Sequence, residues 1–234
     1  MRNRLLAVAM LVMLVFPGLI LAKGIDLYSM FPNMTLGVDP MGADSAYAVC
    51  AGQTANTLEV EVWVGTDNSD PNDALQGLSL EMEITADQPG VTLDTTVSTV
   101  YNGSAIQNWD DSILLVGVWS GGGNPSVFPL LLKVGGADVS LPINALGAGD
   151  HLIATLRFNI SSPTNITVNG TTISDGPALL VTTLANGYDA AFLGTACGPV
   201  VPTLSEWGLI IFAVALLGGM VWYLRRRSPA TATA

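Results

Sequence analysis

The stretch that most limits how this 234-residue chain can fold lies near its end, where Trp207 to Leu224 runs without a charge into Arg225-Arg226-Arg227. At about 1.5 Å of rise per residue this run makes a helix of roughly 27 Å, close to the thickness of a bilayer's hydrocarbon core. Trp207 at one end and Trp222-Tyr223 at the other suit the two headgroup regions, and the arginines form a cytoplasmic stop. A transmembrane helix is therefore expected over 209–224 and a basic cytoplasmic tail over 225–234, with everything before Trp207 outside the cytoplasm.

The residues leading into that run are Val201-Pro202-Thr203-Leu204-Ser205-Glu206-Trp207-Gly208. Motif, apolar run and basic cluster together resemble the IPTL type of C-terminal sorting signal of Gram-negative bacteria, which reads Ile-Pro-Thr-Leu-Ser-Glu-Trp-Gly; only Val201 departs from it. The resemblance implies recognition by an exosortase-like membrane protease, a tail held in the inner membrane, and a domain in the periplasm. Cutting and onward release to the outer surface or extracellular matrix are left open.

The other end is also an address. Met1-Arg2-Asn3-Arg4 is basic, Leu5 to Phe16 is apolar, and Pro17-Gly18 precedes the small residue Ala22, the layout of a cleavable signal peptide over 1–22. Between the addresses lies a module over 23–200, large enough for one domain with its own core. Downstream of Lys23 and ahead of Val201 it holds 18 of the 19 acidic residues, all but Glu206, against two basic ones, Lys133 and Arg157, a balance of −16. Such a surface repels phosphate, so nucleic acid is excluded as a partner.

Period-two alternation identifies the fold class. Leu58, Val60, Val62 and Val64 point one way and Glu59, Glu61 and Trp63 the other; Leu78 to Ile84 and Leu152 to Ile160 repeat the pattern. Weaker strands are expected at 91–93, 97–101, 113–119, 127–134, 165–168 and 179–184, separated by turns rich in Gly, Pro, Asn and Asp. No segment of the module has a helical period. An all-β fold follows, an antiparallel two-sheet sandwich. The order of elements, ending in Gly149-Asp150-His151-Leu152-Ile153-Ala154-Thr155-Leu156-Arg157-Phe158, resembles cohesin-type modules, which share a jelly-roll sandwich with some carbohydrate-binding modules and bind dockerin partners through a sheet face.

Cys50 and Cys197 are the two cysteines, and in an exported chain an even pair is expected as a disulfide. His151 is the one histidine. With no Gly-x-Ser-x-Gly context around a nucleophile, it reads as a solvated residue at a strand start, and no catalytic residue is assigned. The pairs Glu59/Glu61 and Glu81/Glu83 read as outward solubility faces. Asp67, Asp70 and Asp73, in the loop Asp67-Asn68-Ser69-Asp70-Pro71-Asn72-Asp73, are the candidates for calcium, though an acidic turn without metal is the commoner fate of such a loop. No other cofactor is expected. Among Trp63, Trp109, Trp119 and Tyr101, Trp63 is the candidate ligand contact, since it lies opposite its strand's valines. The chain thus reads as a non-enzymatic exported binding or structural module for a protein or polysaccharide. The second reading is a carbohydrate-binding surface protein using exposed aromatics.

Overall fold

A computed structural model describes residues 27–116, 123–174, 176–198 and 204–227. The signal peptide over 1–22, Val201 to Thr203 of the sorting motif, and Trp119 lie outside the described residues. The chain divides into two compact units, Met1–Gly198 and Pro199–Ala234.

The first unit is a two-sheet sandwich. Strands β1 (Thr35–Leu36), β2 (Ser45–Gln53), β3 (Thr57–Thr66), β4 (Leu75–Ala86), β5 (Val91–Leu93), β6 (Asp111–Val116), β7 (Leu130–Ala137), β8 (Gly149–Ile160), β9 (Ile166–Gly170), β10 (Ala178–Thr182), β11 (Asn186–Asp189), β12 (Ala191–Leu193) and β13 (Thr195–Cys197) follow in chain order. One sheet runs β1-β11-β10-β4-β7-β6, with β9 pairing the far half of β4 and β13 pairing β9; the other runs β12-β2-β3-β8-β5. The expected all-antiparallel arrangement is corrected here to two mixed sheets, because β1 lies parallel to β11 and β12 parallel to β2. Both parallel pairs join an early segment to a late one, and such long-range edge pairing carries no turn signal in the sequence.

The alternation read in the long strands is the burial observed. Leu58, Val60, Val62 and Val64 of β3 and Leu78, Leu80, Met82 and Ile84 of β4 are at most 1% exposed, and they meet Ala154, Leu156 and Phe158 of β8 in the central core. The segment 97–101, expected as a strand, begins instead with one helical turn, α2 (Val97–Val100). Its β-branched residues read as strand, but Thr96 starts a turn in which the Val100 amide reaches back to the Thr96 carbonyl at 3.0 Å. A second turn, α1 (Leu27–Met30), lies near the start of the module.

That turn explains why β4 is buried on both faces. Leu27 and Phe31 pack with Ile113, Ala137, Leu179 and Val181 into a second, smaller apolar cluster. Gly77 makes this approach possible: a Cβ there would lie 2.7 Å from Phe31 Cε2. The outer face of the larger sheet is thus partly a second interior.

The second unit contains α3, Leu204–Arg227. Its apolar side chains from Leu209 to Tyr223 are exposed, Leu209 by 67% and Trp222 by 62%. Among the described residues no helix is long and apolar enough to cross a membrane. The span read at 209–224 therefore rests on the sequence, in which the charge-free run extends at both ends past the side chains described here.

Candidate functional site

Cys50 and Cys197 are joined, with Cα atoms 5.6 Å apart across 147 residues of sequence. Strand β2 carries the first cysteine beside a bulge between Cys50 and Gly52, and β13 brings in the second by pairing with β9. The bond locks the first long strand to the last, immediately before the second unit begins. On the chain-entropy model a loop of this length contributes about 5 kcal/mol.

The acidic residues are not one uniform coat. Glu81, expected on a solvated face, is wholly buried, as its neighbour Lys133 nearly is; Lys133 Nζ lies 3.4 Å from Glu81 Oε1. The segment after β9 folds over this point. The Ile173 and Ser174 amides donate to Glu81 Oε2 at 2.5 and 2.8 Å, and Ser174 Oγ donates to Oε1 at 2.6 Å. Lys133 is the cross-strand partner of Glu81 in the β4/β7 register, so the pair is placed by the sheet and closed by the strap. Arg157, the other basic residue among the described residues of the sandwich, meets Glu59 at 2.6 Å on an exposed strand face.

Asp67 does not gather with Asp70 and Asp73. Its carboxylate falls instead with those of Asp39 and Asp44, the one group among the described residues whose acidic oxygens lie within 4.8 Å of one another. Asp44 is the buried member. It accepts from the Asp67 amide at 3.0 Å, Asn68 Nδ2 at 3.2 Å and Tyr188 Oη at 2.5 Å. Burial holds its carboxyl above the usual aspartate range, against those hydrogen bonds, and burial also pushes the Tyr188 hydroxyl up, with Asp44 adding to the effect. Asp70 organises its own turn, accepting from the Asn72 amide at 2.9 Å. Asp73 follows in the same turn, its amide donating to the Asp70 carbonyl at 2.9 Å.

His151 donates from Nε2 to the Gly147 carbonyl at 2.7 Å, which ties the strand start to the preceding turn. Trp109 and Tyr101 are core residues, 7% and 4% exposed. The Trp109 ring nitrogen donates to the Asn144 carbonyl at 2.9 Å, and the Tyr101 hydroxyl accepts from the Gly135 amide at 3.0 Å while donating to the Ile113 carbonyl.

Trp63 is different. It is partly exposed on the outer face of the smaller sheet, and its ring nitrogen donates to Glu61 Oε2 at 3.0 Å. The register sets Tyr47 directly opposite it on β2 and Leu152 opposite it on β8, and places Leu193 of β12 opposite Tyr47. Sequence reading found Trp63 but missed Tyr47. The alternation Ala46, Ala48 inward with Tyr47, Val49 outward was present in β2, but small alanines gave that strand too little hydrophobic contrast to stand out. Burial and then the nearby Asp150 carboxylate push the Tyr47 hydroxyl up.

Comparison with known proteins bears on both units. The IPTL-CTERM motif model matches residues 201–227. No curated protein matches the chain. Among solved structures, a non-cellulosomal cohesin from the hyperthermophilic archaeon Archaeoglobus fulgidus is 17% identical, with 71% of this chain and 98% of that one covered at a TM-score of 0.39. A type I cohesin from Clostridium thermocellum, solved in a cohesin–dockerin complex, is 12% identical over 69% of this chain and 94% of that one, also at 0.39. A type II cohesin from Acetivibrio cellulolyticus, in a complex with an X-dockerin, is 10% identical over 65% of this chain and 98% of that one, again at 0.39. Both resemblances read from the sequence, sorting tail and cohesin-like module, are matched in kind.

Proposed function

We propose that this chain is a non-enzymatic envelope protein whose acidic β-sandwich is displayed outside the inner membrane by its C-terminal sorting element. The observation that carries the reading is the IPTL-CTERM match over residues 201–227, which begins within a few residues of the last strand of the sandwich. A signal peptide over 1–22 starts export. The charge-free run from Trp207 to Leu224 then lodges in the bilayer with Arg225 to Arg227 on the cytoplasmic side, and an exosortase-like protease reads Val201 to Gly208 from outside.

Two features of the first unit support an extracytoplasmic address. The Cys50–Cys197 bond is of the kind that persists in oxidising compartments. The acidic balance of the module keeps it soluble and away from anionic lipid. Its role outside is to bind or to build: a rigid, disulfide-closed sandwich presents sheet faces to a protein or glycan partner.

Intact-mass analysis of the protein recovered from envelope fractions tests this reading. A species beginning near Lys23 and ending near Pro202 fits export, anchoring and cutting, and one ending at Ala234 fits a permanent anchor. A product that retains Met1 and partitions with soluble cytoplasmic protein overturns the proposal.

A further inference from the structure

The outer face of the smaller sheet carries an ordered pattern that the fold does not need. Across its strands the register aligns Leu193, Tyr47, Trp63 and Leu152 in one row. Tyr47 and Trp63 point away from the core, because their neighbours Ala46, Ala48, Val62 and Val64 are buried; Leu193 is exposed and Leu152 partly so. Three strand spacings of about 4.8 Å make this apolar strip ~14 Å long, longer than a single hexose ring. The row on one side is Ser45, Gly65 and Asp150, and the row on the other is Val49, Glu61 and Thr155. Each border thus carries one carboxylate and one hydroxyl, Asp150 and Ser45 on one side and Glu61 and Thr155 on the other, with Gly65 and Val49 between or beside them.

One ring is fixed before any ligand arrives, Trp63, held through its ring nitrogen by Glu61 at 3.0 Å. Tyr47 and Asp150 flank Gly65: a Cβ there would lie 2.8 Å from Asp150 Oδ1 and 3.7 Å from Tyr47 Cε1. A ring anchored at its polar tip has less rotamer entropy to lose on binding.

The geometry points to this strip as a binding site for a neutral or amino-sugar polysaccharide. The C–H face of a pyranose stacks on the electron-rich face of an aromatic ring, and its equatorial hydroxyls, lying at the ring's rim, reach acceptors at the level of Glu61 and Asp150. A protein hot spot favours a well-packed pocket from which water is excluded; here the rings lie in an open, flat row with hydrogen-bond acceptors on both sides. Charge selects among glycans. Lys133 and Arg157, the basic residues of the described sandwich, are already engaged with glutamates, Lys133 with Glu81 and Arg157 with Glu59, so uronate-rich or sulfated chains meet uncompensated negative charge. The inference rests on the displayed-module reading above and adds the ligand class.

Affinity electrophoresis and calorimetry of the full chain in detergent, with soluble β-glucan, xylan, galactomannan and chitosan oligosaccharides as probes and polygalacturonate as the acidic comparison, test it. Binding of at least one neutral or amino-sugar probe and none of polygalacturonate is expected. Trp63→Ala and Tyr47→Ala should each weaken binding about tenfold or more, the equivalent of one lost stacking contact. Thr155→Lys lays a long cationic chain across the strip without removing core packing and should also abolish binding, whereas Leu141→Ala, on a distant exposed loop, should leave it unchanged. Absence of binding to every neutral and amino-sugar probe, or binding indifferent to both Trp63→Ala and Thr155→Lys, overturns the inference. A Trp63-dependent dimer in sedimentation gives the face to a second copy and overturns it equally. In either case protease accessibility of the module in intact cells reports separately on display, so the two readings fail independently.

Discussion

Replacing Lys133 with Met removes the ammonium that faces Glu81 but keeps the length of the side chain. The carboxylate left behind is wholly buried, and the lysine itself is only 7% exposed, so water cannot substitute for the lost partner. Breaking a buried pair on one side costs about 3–5 kcal/mol. Here the lower end applies, about 3 kcal/mol, because the amides of Ile173 and Ser174 and the Ser174 hydroxyl still donate to the carboxylate. Glu81→Gln belongs at the upper end, since it weakens those donors' charged acceptor as well as stranding the ammonium. At about 2–4 °C per kcal/mol for a domain of this size, Lys133→Met should lower Tm by roughly 6–12 °C. The double variant should cost less than the sum of the singles by about 1–3 kcal/mol, because the second change removes a charge the first had stranded. Thermal and urea unfolding followed by circular dichroism, with the disulfide intact, gives all three values. Single variants within 1 kcal/mol of wild type, or a strictly additive double, would refute the argument that this pair closes the strap over the larger sheet.

Other perturbations probe the remaining devices. Cys50→Ala with Cys197→Ala should destabilise by about 5 kcal/mol on the chain-entropy model; an unchanged urea midpoint would show that the pairing of β13 with β9 already holds the end of the module. Phe31→Ala should cost about 3 kcal/mol by opening the small cluster above Gly77, and a loss under 1 kcal/mol in urea melts would mean that α1 lies loosely on the sheet. Asp87 accepts from Thr164 Oγ1 and from the Asn165 amide, and these bonds hold its carboxyl below the usual aspartate range. A folded value depressed below the unfolded one gives stability that is present above the unfolded pKa and lost as pH falls through the folded one. Asp87→Asn should therefore be less stable than wild type at pH 7 and lose less stability on acidification below pH 4; acid titration by circular dichroism with a steeper acid loss in the variant would contradict this.

What the sequence made legible follows the strength of its local signal. β3, β4 and β8 were read from alternation because each sets β-branched or long apolar residues against charged or aromatic ones, and burial follows that contrast residue by residue. β11 to β13 escaped notice because three- and four-residue edge strands hold no period; they exist by pairing with distant partners such as Tyr47 and Thr167. Glu81 was misread for a related reason. Alternation tells which residues leave the core of the sandwich, but it does not tell whether another segment lies on the far side, and the strap over 171–174 is invisible to any local window. The aromatic strip was half legible: Trp63 stood out, while Tyr47 and Leu193 became its neighbours only through register. The sorting tail was read nearly whole, since its information is linear.

The two outer faces of the sandwich have opposite fates, and the contrast bears on which one is free to bind. On the larger sheet, Leu27 and Phe31 pack on the outward residues Leu179 and Val181 and the strap closes over Glu81, so part of that face is covered by this chain's own segments. On the smaller sheet Tyr47 and Trp63 remain partly exposed, and the Trp63 ring nitrogen is tied to Glu61 of the same face. A fold that needed only solubility there would gain it from charged residues alone, and Glu59, Glu61 and Arg157 already supply them. Tyr47 and Trp63 stay partly exposed and lie outside the core cluster. The proposed glycan site gives them a role, and on that proposal Glu61 and Asp150 beside them favour ligands that donate hydrogen bonds without carrying negative charge.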